Sequence, residues 1–202
     1  MIPLHEDESH QALRRQTRRF AEREIAPFAT AWEEDEGFPR ELYGKAADAG
    51  LLGIGYPEEL GGAGGDFSHA LAAAEEMVLH GTSVGVVVGL GSHGIALPPV
   101  LVAGTEEQKR RFVPPVLSGD KIAALAITEP SGGSDVARVR TRAVRDGDFY
   151  VVTGAKTFIT SGTRADFVTT AVRTGGEGHA GVSLLVIEAN TPGFTVSKKL
   201  RK

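Results

Sequence analysis

The feature that most restricts how this chain can fold is a change of periodicity near residue 120, with helix-like patterning before it and strand-like runs after it. From Leu13, apolar or small residues recur at Thr17, Phe20, Ala21, Ile25, Phe28 and Trp32. At about 100° per residue these share one helix face, which Pro27 should bend or interrupt. A second helix is predicted from Pro39 to about Ala49, with proline in the first turn and Gly50 at the end. Asp66 can cap a helix running through Ala70, Ala73, Ala74 and Met77. Thr105 to Gln108 reads as a capping box that starts a helix running to Phe112. After Gly119 the runs Lys121 to Thr128, Asp148 to Thr153 (following an Asp146-Gly147 turn), Phe167 to Val172 and Val182 to Ile187 read as strands. Helices followed by strands, rather than alternating with them, predict an α+β fold: an all-α domain over 1–120 and a β domain over 121–202.

Charge and composition narrow the functions open to such a chain. The net charge of -4, with 22 basic against 26 acidic residues, argues against a nucleic-acid surface. The basic run Arg14, Arg15, Arg18, Arg19 reads as the solvated side of an amphipathic helix. With 0 cysteines, the chain has no disulfide, thiolate metal site or cysteine nucleophile. His5, Glu6, Asp7 and Glu8 stand where an export signal would be basic and then apolar, so a cytoplasmic location is the default expectation. The uncharged stretch from Val84 to Ala103 approaches the length of a membrane span, but its glycines and the pair Pro98-Pro99 predict a buried helix followed by a break.

Several apparent motifs lose their meaning in context. Gly89-Leu90-Gly91-Ser92-His93-Gly94 spells G-x-G-x-x-G, yet lacks the preceding strand, and Pro98 and Pro99 stop a following helix. Gly61, Gly62, Gly64 and Gly65 read as a turn rather than a phosphate loop. The 6 histidines form no H-E-x-x-H pair and no cluster with acidic residues at metal spacing along the chain, so no metal is expected. Ser83, Ser92 and Ser161 lack a nucleophile elbow.

The segment Leu125-Ala126-Ile127-Thr128-Glu129-Pro130-Ser131-Gly132-Gly133-Ser134-Asp135 is more informative. A strand ends at Thr128, and Pro130, Gly132 and Gly133 force a tight turn that gathers backbone amides with the hydroxyls of Thr128 and Ser134 at one edge. Such an edge can hold a polar ring or a pyrophosphate. Downstream, Gly154-Ala155-Lys156-Thr157-Phe158-Ile159-Thr160-Ser161-Gly162 supplies an aromatic ring and hydroxyls between glycines.

Together these segments resemble the acyl-CoA dehydrogenase family, whose flavin loop reads T-E-P-x-x-G-S-D and whose second flavin segment reads K-x-[WF]-I-[TS]-x-G. Thr105-Glu106-Glu107-Gln108-Lys109 is similar to the family's G-T-E-x-Q-K helix start, and Pro57-Glu58-Glu59-Leu60-Gly61-Gly62 to its P-E-x-x-G-G loop. The resemblance implies that the β domain is an incomplete, antiparallel, barrel-like middle domain that binds FAD. It implies FAD contacts from Leu125, Ile127, Thr128, Gly133, Ser134, Phe158, Ile159 and Thr160, with Thr128 near the pyrimidine ring and the Thr160 hydroxyl at flavin N5. Phe158 stands where many members carry Trp, keeping the packing surface without an indole N–H. Acyl-CoA contacts would come from Ser134 and from Val88, Gly91, Ser92 and Ile95, one turn apart on a helix lining the acyl tunnel. Gly89 and Gly91 would deepen that tunnel, favouring medium or long acyl groups over butyryl.

The implied reaction oxidises an acyl-CoA thioester to the trans-2-enoyl-CoA, within fatty acid β-oxidation. The base is a glutamate expected beyond Lys202, so no catalytic residue is expected in this chain. An electron-transfer flavoprotein is the implied acceptor and a homo-oligomer, tetramer or dimer, the implied assembly. Two alternatives remain open: a flavin monooxygenase or nitroalkane-type oxidase on the same fold, and a non-enzymatic fragment retaining only folding and association surfaces.

Overall fold

The computed structural model describes residues 6–200; His5, Arg201 and Lys202 lie outside them. In chain order the helices are α1 (Glu8–Phe20), α2 (Ala29–Glu34), α3 (Glu41–Asp48), α4 (Phe67–Gly81), α5 (Val84–Leu90), α6 (His93–Ala96), α7 (Pro98–Ala103), α8 (Glu106–Phe112) and α9 (Pro114–Leu117). The strands are β1 (Ala123–Ala126), β2 (Arg142–Asp146), β3 (Phe149–Thr153), β4 (Phe167–Arg173) and β5 (Val182–Glu188). Contacts divide the chain into a helical unit, reaching Gly91 and including Gly104–Lys121, and a sheet unit of Ser92–Ala103 and Ile122–Leu200. By contact, residues 92–103 group with the sheet unit, where two hydroxyls bond them. Ser92 Oγ donates to the Ala123 carbonyl at 3.0 Å and Thr169 Oγ1 to the Ala96 carbonyl at 2.8 Å.

In the helical unit, two identical D-x-S-H boxes start the two main helices. The Asp7 carboxylate accepts from the amides of Ser9 and His10 at the start of α1, and Asp66 accepts from Ser68 and His69 at the start of α4. Each serine hydroxyl donates to its own aspartate, Ser9 at 2.6 Å and Ser68 at 2.5 Å. The imidazole Nε2 atoms hydrogen-bond across the helix pair, His69 with Ser9 Oγ at 2.9 Å and His10 with Ser68 Oγ at 2.8 Å. The two rings stack with centroids 3.8 Å apart.

The apolar stripe running from α1 into the turn that follows buries Thr17, Phe20, Ala21 and Ile25. A π-turn over Ala21–Ile25 and a 3-10 turn over Ala26–Phe28 then break the helix around Pro27, after which Phe28 turns outward. The basic run departs from its expected role. Arg15 and Arg19 face solvent, but Arg14 Nη1 reaches Glu76 of α4 at 3.2 Å and Arg18 Nε reaches the same carboxylate at 3.0 Å. Glu76 is buried, and although desolvation pushes its carboxyl upward, the Arg18 and Arg14 hydrogen bonds hold the net shift below the usual range. Gly81 is needed beside Ile25, whose Cγ2 would lie 3.1 Å from an added Cβ.

The predicted α3 ends with Gly50 at φ +66, and α8 carries the predicted Thr105–Gln108 box. The 61–65 loop is a packed turn: a Cβ on Gly62 would overlap the Tyr56 carbonyl. Among the described residues no strand precedes the G-x-G-x-x-G stretch; its first glycine lies in α5, where an added Cβ would fall 2.6 Å from the Phe38 ring and where the Tyr43 hydroxyl donates to the Gly89 carbonyl at 3.0 Å. Among the described residues, no single helix is long and apolar enough to cross a membrane.

The sheet unit is organised by β4, whose residues Phe167 to Val172 are all buried. It pairs in parallel with β1, Ala123 opposite Phe167 through Ala126 opposite Thr170, and antiparallel with β5 along its full length. Buried on both faces, β4 reads as a continuous apolar and β-branched run. The hairpin of β2 and β3 joins β4 only at Arg142 opposite Arg173. The α+β fold is therefore as expected, while the sheet itself is mixed and open rather than purely antiparallel and barrel-like. The long connection from β1 to β4, which includes the β2–β3 hairpin, permits the parallel pairing.

Candidate cofactor-binding site

The two segments singled out in the sequence leave β1 and approach β4, and the sheet unit zips them together. At the end of β1, Leu125 and Ile127 are half-exposed on one face while Ala124 and Ala126 turn into a core with Val168. The following turn closes on itself: Glu129 N donates to the Gly132 carbonyl at 2.9 Å and Gly132 N to the Glu129 carbonyl at 3.0 Å, with Pro130 and Ser131 at its tip. Gly133 is closely packed, since a Cβ would meet Thr128 Cγ2 at 3.2 Å and the threonine would have to give way. Ser134 is exposed and Thr128 half-buried.

The second segment crosses this turn at two points. Thr157 N donates to the Thr128 carbonyl at 2.9 Å, and Lys156 Nζ donates to the Ile127 carbonyl and to Glu129 Oε1, each at 2.9 Å. Glu129 Oε1 also accepts from Thr141 N and Oε2 from Arg140 N, both at 2.8 Å. Burial raises the Glu129 pKa, but hydrogen bonds from Lys156 and the Thr141 and Arg140 amides outweigh it and hold the carboxyl down at about 2. Desolvation lowers the Lys156 pKa, and the Glu129 hydrogen bond and charge oppose that shift. An anion saturated in this way is a poor proton acceptor.

Beyond Lys156 the backbone is strained. Phe158 and Ser161 take φ of +57 and +60, a region few residues other than glycine adopt. A local turn holds them: Gly162 N donates to Ile159 O at 2.9 Å and Ala165 N to Ser161 O at 2.9 Å. Ile159 packs against the Ala124, Ala126 and Val168 cluster, anchoring the turn in the core. Phe158 is left 75% exposed and Thr160 half-buried. The two hydrogen-bonded segments thus carry half-exposed Leu125, Ile127 and Ile159, the exposed ring of Phe158, and the hydroxyls of Thr128, Ser134 and Thr160. That combination suits a flat ring system with apolar faces and polar edges.

The residues assigned to the acyl tunnel do not share one helix. The helix ends at Leu90 and restarts at His93, so Val88 and Gly91 lie in the helical unit and Ser92 and Ile95 in the sheet unit. Val88 and Ile95 are each 53% exposed, whereas Ser92 is buried with its hydroxyl committed to Ala123. Gly89 lends no volume, because the Phe38 ring fills the space.

Two features escaped the sequence reading. The Glu129–Lys156 pair was visible only as one acid and one base in separate motifs. Asp7, His10 and His69 bring ligand-type atoms within 4.8 Å of one another, from two helices that spacing along the chain cannot relate. The Nδ1 atoms of both histidines already serve the helix caps and their Nε2 atoms bond Ser9 and Ser68.

The chain joins an α-helical unit to a mixed-sheet unit that carries these two linked segments, and comparison with known proteins places it in a family. The family models for the acyl-CoA dehydrogenase N-terminal domain and middle domain match residues 7–120 and 124–202. The chain belongs to the acyl-CoA dehydrogenase family. It is 40% identical over 200 residues to an acyl-CoA dehydrogenase of Bacillus subtilis, covering 98% of this chain and 52% of that protein. A crystal structure of a probable acyl CoA dehydrogenase from Mycobacterium abscessus is 55% identical with a TM-score of 0.95, covering 97% of this chain and 52% of that one. A glutaryl-CoA dehydrogenase from Mycobacterium smegmatis, solved in complex with FADH2, is 29% identical with a TM-score of 0.88, covering 98% and 50%. The chain thus spans about half the length of the relatives it matches.

Proposed function

We propose that this chain supplies the FAD-binding part of an enzyme that oxidises an acyl-CoA thioester to the trans-2-enoyl-CoA. The observation that carries the reading is Phe158: a large aromatic ring left 75% exposed, on a backbone held at φ +57 by bonds on either side. Strain of this kind persists where the surroundings over-determine it, and it clusters at ligand sites. Bound FAD would supply a hydride acceptor at N5. Phe158 and Ile159 would cover one face of the ring system, Leu125 and Ile127 would offer apolar contact, and Gly133 and Ser134 would present a backbone amide and a hydroxyl to phosphate. The Thr160 hydroxyl would donate to N5, where a hydrogen bond counts most as charge develops. Ser134 would be shared with the acyl-CoA.

By resemblance to the family, the base that removes the α-proton would be a glutamate beyond Lys202; Glu129 is unsuited to that role because its carboxylate is saturated by its donors. An electron-transfer flavoprotein would reoxidise the enzyme, and the intact protein would work as a homo-oligomer.

The test is spectroscopic. The intact protein, purified and given FAD, is expected to show the visible flavin band, and anaerobic addition of an acyl-CoA series should bleach it. If no flavin binds, or no acyl-CoA bleaches the band while another donor does, the proposal fails.

A further inference from the structure

The two cradle segments could have been joined by apolar packing, yet their crossing holds a charged pair. Glu129 and Lys156 have side chains only 5% and 10% exposed, and their heads sit 2.9 Å apart. Replacing a buried pair with apolar groups often leaves stability unchanged or improved, so its retention calls for a reason other than stability. The hydrogen bonds show what the pair constrains. The carboxylate takes the amides of Arg140 and Thr141, which lead into β2, and the ammonium takes the carbonyl of Ile127, which leaves β1. One ion pair thereby ties together residues 127–132, 140–141 and 156–157. Packing beside it is equally tight, because a Cβ on Gly154 would overlap Thr141 Oγ1. Oil-like contacts would allow the segments to slide, whereas a carboxylate fixed by three N–H donors in different directions does not.

We propose that Glu129 and Lys156 are positioning residues for the flavin cradle, setting the spacing between Thr128 and Phe158 without touching the cofactor. The inference rests on the FAD reading above. Its signature is a separation of stability from affinity. Lys156→Met leaves Glu129 charged, buried and short of a partner, and lowers the melting temperature. Adding Glu129→Gln removes the stranded charge, so the double variant recovers much of that loss. The directional lock is absent from both variants, so FAD affinity stays weak in both.

The experiment measures melting temperature without cofactor and the FAD dissociation constant by quenching of flavin fluorescence, for the intact wild type, K156M and K156M/E129Q. A rise of about tenfold or more is expected in both variants, the scale on which partners that orient a ligand shell act at metal sites. Glu129→Asp, which keeps the charge but withdraws it by one methylene, serves if K156M does not fold and should weaken FAD severalfold. Affinity that returns together with stability in the double variant, or that never changes, would show the pair to be merely structural. A wild type that binds no FAD would instead remove the functional reading itself, and this inference with it.

Discussion

Acidification should weaken the sheet unit through one identifiable carboxylate. Glu129 is held at about 2 in the folded chain against a reference value of 4.5. Because the folded value is depressed, the stabilisation is fully present above about pH 4.5 and is lost as pH falls toward 2. At 1.36 kcal/mol per unit, the difference amounts to about 3 kcal/mol at neutral pH. Its structural source is the three N–H donors around a carboxylate excluded from water. Replacing Glu129 with Gln removes the titration and places an amide N–H against a backbone or ammonium donor. The variant should be less stable at neutral pH and much less sensitive to acid. Urea unfolding followed by circular dichroism at pH 6 and pH 3 isolates the effect as a difference of differences, since the other carboxylates titrate in both proteins. Wild type and E129Q curves that shift in parallel with pH would refute the reasoning.

Three further outcomes are expected. Asp7→Ala and Asp66→Ala should each cost about 1 kcal/mol in thermal or chemical denaturation, and the double variant should cost less than the sum because the boxes interlock. Gly89→Ala, which would favour an isolated helix, should instead destabilise by about 1–3 kcal/mol, since its methyl meets the Phe38 ring; an unchanged unfolding midpoint would count against the packing argument. Phe158→Ala should leave the melting temperature of the cofactor-free protein nearly unaltered while weakening FAD measurably in a fluorescence titration.

Much of the architecture was legible because local chemistry and tertiary structure agree. Pro27, Gly50, Asp66 and Thr105 each act through their own turn, and each does in the structure what its residue type predicts. What stayed hidden depends on partners far along the chain. Arg14 and Arg18 look like solvent-facing bases until α4 brings Glu76 beside them. β2, Arg142-Ala143-Val144-Arg145-Asp146, carries charges on an exposed hairpin, so it has no apolar alternation to reveal it. The hydroxyl of Ser92 could not be assigned without knowing that β1 passes beside it. The cradle segments could be found from their turn chemistry and the resemblance, but the charged pair that locks them is a contact between them and has no signature in either alone.

The topology around β4 also sets an order of assembly. β4 and β5 are joined by a short connection, Thr174 to Gly181, and can zip early, whereas β1 meets β4 only after all of residues 127–166 have been looped out. The second cradle segment and the first from Ile127 onward lie inside that large loop, so the cradle exists only once the slow, non-local pairing has formed. A ligand that binds the cradle therefore acts as a clasp on the last ring to close, raising the population of the closed sheet in proportion to its occupancy. Synthesis without cofactor would leave that ring free to reopen, and refolding yield should rise with the cofactor present from the start.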